Sequence, residues 1–93
     1  VTARYTTPAN TRTQIIEMWL DNQNTTTDRK VDIYAHGTAS TNRLSRKIPI
    51  TMDSGISISD CKTVLDAAQV LALSQDVGTD VIVTIYGIEE VIA

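Results

Sequence analysis

The sequence predicts an all-β fold, a single-domain β-sandwich of jelly-roll-like character with about seven or eight strands. Three observations predict it. Threonine is frequent, phenylalanine is absent, and β-branched residues dominate the apolar set, a composition that suits pleated, half-buried surfaces. Segments of strand character recur about every ten to twelve residues with turn chemistry between them, the spacing of a sandwich or barrel. The run Val81-Ile-Val-Thr-Ile-Tyr-Gly-Ile-Glu-Glu-Val is the strongest strand signal in the chain. The 93 residues make one domain, 1–93, with a single modest core.

Along the chain, Ala3-Arg-Tyr-Thr-Thr-Pro reads as a short strand ended by Pro8, whose missing N–H places it at a sheet edge or a strand start. Thr13 to Gln23 is ambiguous: Ile15, Ile16, Trp19 and Leu20 suit a helix, whereas Ile16, Met18 and Leu20 suit a strand face. The β-branched and turn-like flanks favour the strand. Arg29 to His36 alternates cleanly, with Val31, Ile33 and Ala35 on one side and Lys30, Asp32, Tyr34 and His36 on the other. Gly37 to Asn42 is a loop. Arg43 to Met52 is a strand that Pro49 confines to an edge or a bulge.

After a turn at Asp53-Ser-Gly, Ile56, Ile58 and Val64 share one parity. The stretch Thr63-Val-Leu-Asp-Ala-Ala-Gln-Val-Leu-Ala-Leu-Ser-Gln-Asp carries two readings. Val64, Leu65, Ala68 and Leu71 follow a helical stripe with Asp60 as a cap, while Leu71 and Leu73 alternate as a strand after a tight turn at 66–69. A turn at 76–80 leads into the last strand, with Val81, Val83 and Ile85 on one face and Ile82, Thr84 and Tyr86 on the other.

The helical reading would give an α+β alternative similar to the phosphocarrier protein HPr. That chemistry needs a histidine followed by Ala-Arg-Pro, and His36 is followed by Gly37-Thr38-Ala39.

The composition excludes several classes of function. The net charge of −3 and the scattered cations argue against a nucleic-acid footprint; Arg43, Arg46 and Lys47 are the one local basic cluster. Cys61 is the sole cysteine, which excludes an intrachain disulfide and a Cys-rich zinc site, and its expected role is that of a small strand hydrophobe. No apolar run reaches membrane-spanning length, and no basic segment precedes an apolar core, so no membrane partner is expected, and the single cysteine suits a chain folded in a reducing compartment.

No catalytic motif accompanies His36, no acidic loop has calcium-site spacing, and no glycine-rich phosphate cradle is present. The expectation is a non-enzyme with no metal and no cofactor. Trp19, Tyr34 and Tyr86 suit packing or, as flat aromatic faces, stacking on sugars.

One resemblance spans nearly the whole chain. Its carriers are YTTPANTRTQIIEMWLDN, NTTTDRKVDIYAHG, TNRL, GISISDCKTVLDAAQVLALSQD and VIVTIYGIEE. In these the chain resembles small bacteriophage virion proteins of β-sandwich type, found as capsid decoration or cement proteins and as head-fibre or knob domains. The pattern departs at Ala68 and Asn10, where glycine is usual.

The resemblance implies that residues 63–76 form two strands and a turn. It also implies a virion structural protein made in the host cytoplasm, assembling as a homotrimer on the major capsid protein or other virion proteins. Trp19, Tyr34, Arg43, Arg46 and Lys47 are the candidate capsid or subunit contacts, chosen by residue type. The rival expectation is a receptor- or carbohydrate-binding module of a fibre or tail.

Overall fold

Alternation of apolar and polar residues becomes alternation of burial. In the computed structural model, which describes residues 1–59, 63–76 and 78–92, eight strands form two antiparallel sheets around one core. The strands are β1 (Thr2–Thr6), β2 (Thr11–Asn22), β3 (Arg29–Ala35), β4 (Arg43–Ile50), β5 (Ser54–Ile58), β6 (Thr63–Leu65), β7 (Val70–Gln75) and β8 (Val81–Val91). A short 3-10 turn at Ser40–Asn42 precedes β4. The expected role of Cys61 lies outside the described residues.

The first sheet has the order β1-β7-β3-β4. In the second, β2 is central. β8 pairs along one side of it from Thr11↔Val91 to Asn22↔Val81, and β5 and β6 share the other side end to end. Between the sheets lie Ile15, Met18 and Leu20 of β2, Val31, Ile33 and Ala35 of β3, Ile50, Leu65, Leu71 and Leu73. Val81, Val83 and Ile85 pack against them from β8, on the face that alternation assigns them.

Both ambiguous segments are strands, and the α+β alternative falls. A helix through 63–76 would need an uninterrupted i→i−4 ladder. Instead Gln69 N donates to Asp66 O at 3.0 Å, Gln69 Oε1 accepts from Asp66 N at 2.8 Å, and Ala68 turns the chain at φ 67°. That left-handed backbone costs an alanine about 1–2 kcal/mol, which the surroundings hold in place. Ala68 N donates to Thr7 O and Thr7 N donates to Gln69 O, so the turn is clipped to the Thr7-Pro8 corner. Asn10, the other departure from glycine, takes φ 55°.

Two expectations about side-chain direction and one about exposure are corrected. Ile16 does not share a face with Met18 and Leu20, because the β2–β8 register shifts between Ile15 and Glu17 and turns Ile16 outward. Gly87 lies opposite this bulge, where an added Cβ would sit 2.6 Å from Gln14 O, so the bulged backbone needs a residue without a side chain. Val64 is not on the core side with Ile56 and Ile58: it is 46% exposed, and Leu65 is the buried one. Tyr34 keeps the outward parity of Asp32, outside the core cluster, but is covered there. It is only 6% exposed, placed in the register between Arg43 of β4 and Ala72 of β7.

Pro49 behaves as expected, since β4 is an edge strand and carries a bulge. Val31 pairs with Ile48 and Ile33 with Ser45, so Asp32 alone faces both Arg46 and Lys47.

Candidate interaction surface

The outer face of the second sheet is where exposed apolar side chains collect. Its residues follow from strand parity: on β8 the odd-numbered side chains face the core, so Ile82, Thr84, Tyr86 and Ile88 face out. In the register Tyr86 lies beside Glu17, Thr84 and Ser57 flank Trp19, and Ile88 and Val64 flank Gln14. Trp19 is 49% exposed and Tyr86 54%, and they sit diagonally across the β2–β8 pair, a spacing aromatic rings can bridge. Ile16, Ile82 and Ile88 are also exposed, which leaves a broad apolar surface with Glu17, Asp21, Ser57 and Thr84 among its polar members.

The other candidates lie elsewhere. Arg43, Arg46 and Lys47 are exposed on β4, the outer edge of the first sheet, and so share no face with Trp19. The bulge shapes their local geometry: Lys47 takes φ 53° and its N–H donates to Asp32 Oδ1 at 2.7 Å. Tyr34, being buried, contributes nothing exposed beside them.

Ile82, Ile88, Ile16 and Val64 were not among the sequence candidates, and Tyr86 was named only as an aromatic suited to packing or sugar stacking. A signal for most of them was present. In β8 both parities are apolar, the mark of a strand covered on two faces, while in this chain only one face is covered.

On the side where β1 and β8 are both sheet edges, the two layers part to leave a groove of about 890 Å³. Ile15, Val83 and Ile85 line its interior, with Arg4 and Tyr5 from the β1 lip. The Tyr5 hydroxyl lies 2.7 Å from Thr13 Oγ1 and donates to Glu89 Oε2, joining the lips at one end. Burial first and the neighbouring Glu89 carboxylate second push the Tyr5 phenol above its ordinary pKa.

At the far end a polar network closes the sandwich. Asp80 accepts from Arg29 Nε at 3.0 Å and Arg29 Nη2 at 3.1 Å, from Asn24 Nδ2 at 2.9 Å and from Gln75 Nε2 at 2.6 Å. The guanidinium above all, then the two amides, hold the Asp80 carboxyl well below the usual carboxylate range. A depressed folded-state pKa gives a contribution to stability that is present above the unfolded value near pH 3.9 and is lost as pH falls through the lower, folded one. Asp80→Asn is therefore expected to be less stable than the wild type at pH 7. Its stability should also fall less steeply from pH 5 to pH 2, as urea midpoints across that range will show.

His36 has a structural place. It directly follows β3 at φ 74°, and its Nε2–H donates to the Val64 carbonyl at 2.9 Å, tying the end of that strand to β6. Among the described residues no group of three or more His, Cys, Asp and Glu side chains is arranged to hold a metal ion. No helix among the described residues is long and apolar enough to cross a membrane. Comparison with family models, with curated proteins and with solved structures finds no match to this chain.

Proposed function

We propose that the chain is a non-enzymatic structural protein of a bacteriophage virion, a decoration or cement subunit that assembles as an oligomer on the head. The observation that supports this reading is the outer face of the second sheet. Trp19, Tyr86, Ile82, Ile88, Ile16 and Val64 stand on or beside one three-strand surface, and a contiguous apolar surface of this kind marks a contact with another macromolecule. Completing the burial of a half-exposed aromatic or aliphatic side chain is worth about 1 kcal/mol or more, so one subunit gains modestly and many symmetric copies gain greatly. A protein that binds only the assembled, expanded shell stabilises that state by mass action.

Binding to undecorated heads of the parent phage tests the reading. Trp19→Ala combined with Ile82→Glu is expected to weaken binding about tenfold or more, with the β-type circular dichroism spectrum kept because both side chains are exposed. Arg43→Glu with Lys47→Glu asks separately whether the basic edge meets an acidic shell.

The exposed Trp19–Tyr86 pair, with Glu17 and Asp21 beside it, also favours a second reading, a carbohydrate-binding module of a fibre or tail. Binding to cell-wall glycans, lost in Trp19→Ala, with no binding to heads, would replace the first reading by this one.

A further inference from the structure

We infer that the free edge of β8 is a contact between two copies of this chain, paired antiparallel about a two-fold axis so that their second sheets become one. This goes beyond the proposed role on the head and does not depend on it, since it requires only the chain itself.

β8 is 11 residues long and pairs with β2 along one side, while its other side has no partner strand among the described residues. At about 3.3 Å per residue that edge runs roughly 36 Å, a row of backbone donors and acceptors open to another strand. Soluble proteins blunt such edges with proline, lysine, a bulge on the edge strand or an inward-pointing charge near its middle. β8 has neither proline nor lysine, and the bulged residue, Ile16, belongs to β2. Its only charges, Glu89 and Glu90, lie at one end.

Those charges decide who the partner is and how it runs. Two β8 strands in parallel would set four carboxylates side by side with no cation on either strand. Antiparallel, with the axis at residue 85 or 86, each pair of carboxylates lies against residues 80–83 of the other copy. Arg4 stands at that end, on the β1 lip of the groove beside Val81 and Val83, and has neither an ion pair nor a side-chain hydrogen bond among the described residues. Glu89 shares the core-facing parity of Val83, the side of the sheet on which Arg4 lies. Its Oε2 receives the Tyr5 hydroxyl, which leaves Oε1 to accept from the partner's guanidinium.

The two-fold pair differs from the homotrimer implied by the resemblance, and solution mass distinguishes them. Sedimentation equilibrium of the full chain at low salt is expected to give twice the chain mass. Arg4→Glu is expected to raise the dimer Kd about tenfold or more, Arg4→Lys to change it much less, and both to keep the wild-type circular dichroism. Amides of 81–91 should exchange more slowly as concentration rises through the Kd, while those of β4, the edge of the other sheet, should not change. A monomer at every concentration, a mass of three chains, or a dimer indifferent to Arg4→Glu would each overturn the inference. Head binding is measured separately, so neither result can stand in for the other.

Discussion

Replacing Asn22 is expected to be among the most damaging single changes in the chain. Asn22 ends β2 fully buried, and its side chain is satisfied on every side: Nδ2 donates to Thr27 O and to Ile50 O, each at 3.0 Å, and Oδ1 accepts from Asn24 N at 3.0 Å. One amide thus ties the 22–28 loop and the end of β4 to the central strand of the other sheet. Asn22→Leu keeps the approximate volume and strands two carbonyls and one N–H. At about 1–3 kcal/mol for a polar group left without a partner, in full for the buried Ile50 carbonyl and less for the part-buried Thr27 carbonyl and Asn24 N–H, the loss is roughly 3–5 kcal/mol, a large share of the 5–15 kcal/mol typical of a domain.

Asn22→Asp carries a further signature. It sets a carboxylate oxygen against two carbonyl oxygens, which raises the pKa of the introduced carboxyl above its unfolded value. Its penalty should be greatest at pH 7 and should shrink as pH falls toward 4 and the carboxyl gains a proton it can donate. Urea unfolding of both variants at pH 7 and pH 4.5 checks this; equal losses for Asn22→Asp at the two pH values would contradict the buried hydrogen-bond geometry.

Leu65→Ala is expected to cost about 2–5 kcal/mol, and Val64→Ala, one residue away, no more than about 0.5 kcal/mol. Leu65 is fully buried, paired with Thr13 and packed in the core, whereas Val64 points from the outer face of the second sheet. The contrast follows from the two-residue period of a strand, on which neighbours have opposite fates. A helix through the same segment would place both residues on its apolar stripe and would make both changes costly. Denaturant midpoints of the two variants, with m-values compared to confirm an unchanged transition, read the register directly.

How far the fold was legible varies from element to element for physical reasons. β3 was plain because it alternates without interruption and β8 because its run is rich in β-branched residues, and β4 was confined to an edge or a bulge because Pro49 has no N–H to donate to a ladder. The 66–69 turn was visible through its residues, although Ala68 hid the left-handed backbone that glycine would have announced. Ile16 was assigned to the wrong face because the bulge that turns it out is matched by Gly87, far away in sequence, and local periodicity carries no word of it. Val64 failed for a related reason: parity was counted from Ile56 and Ile58 across the break between β5 and β6, where it is not kept.

Long-range polar contacts were invisible for the same cause. Arg29 and Asp80 are 51 residues apart, and Asn22 and Ile50 are 28 apart, so nothing in either neighbourhood names the other. Of the candidate contacts, residue type located Trp19 correctly on an exposed face. It misjudged Tyr34, because a tyrosine on the polar parity of a strand is read as facing water unless the covering structure is known.

The long β2–β8 pairing also sets a timetable. Every rung of that ladder joins residues roughly sixty to eighty positions apart, so the central strand of the second sheet cannot be completed by anything near it in the chain. The earlier strands can pair among themselves, as β3 and β4 do through a short connection, while β2 waits with an apolar flank uncovered for its last neighbour to arrive. A chain built this way folds slowly and passes through a stage prone to misassociation before residues 81–91 close the ladder. The strand that ends this vulnerable interval is the one whose outer edge then meets a second copy, so completion of the subunit and competence to join another become a single event.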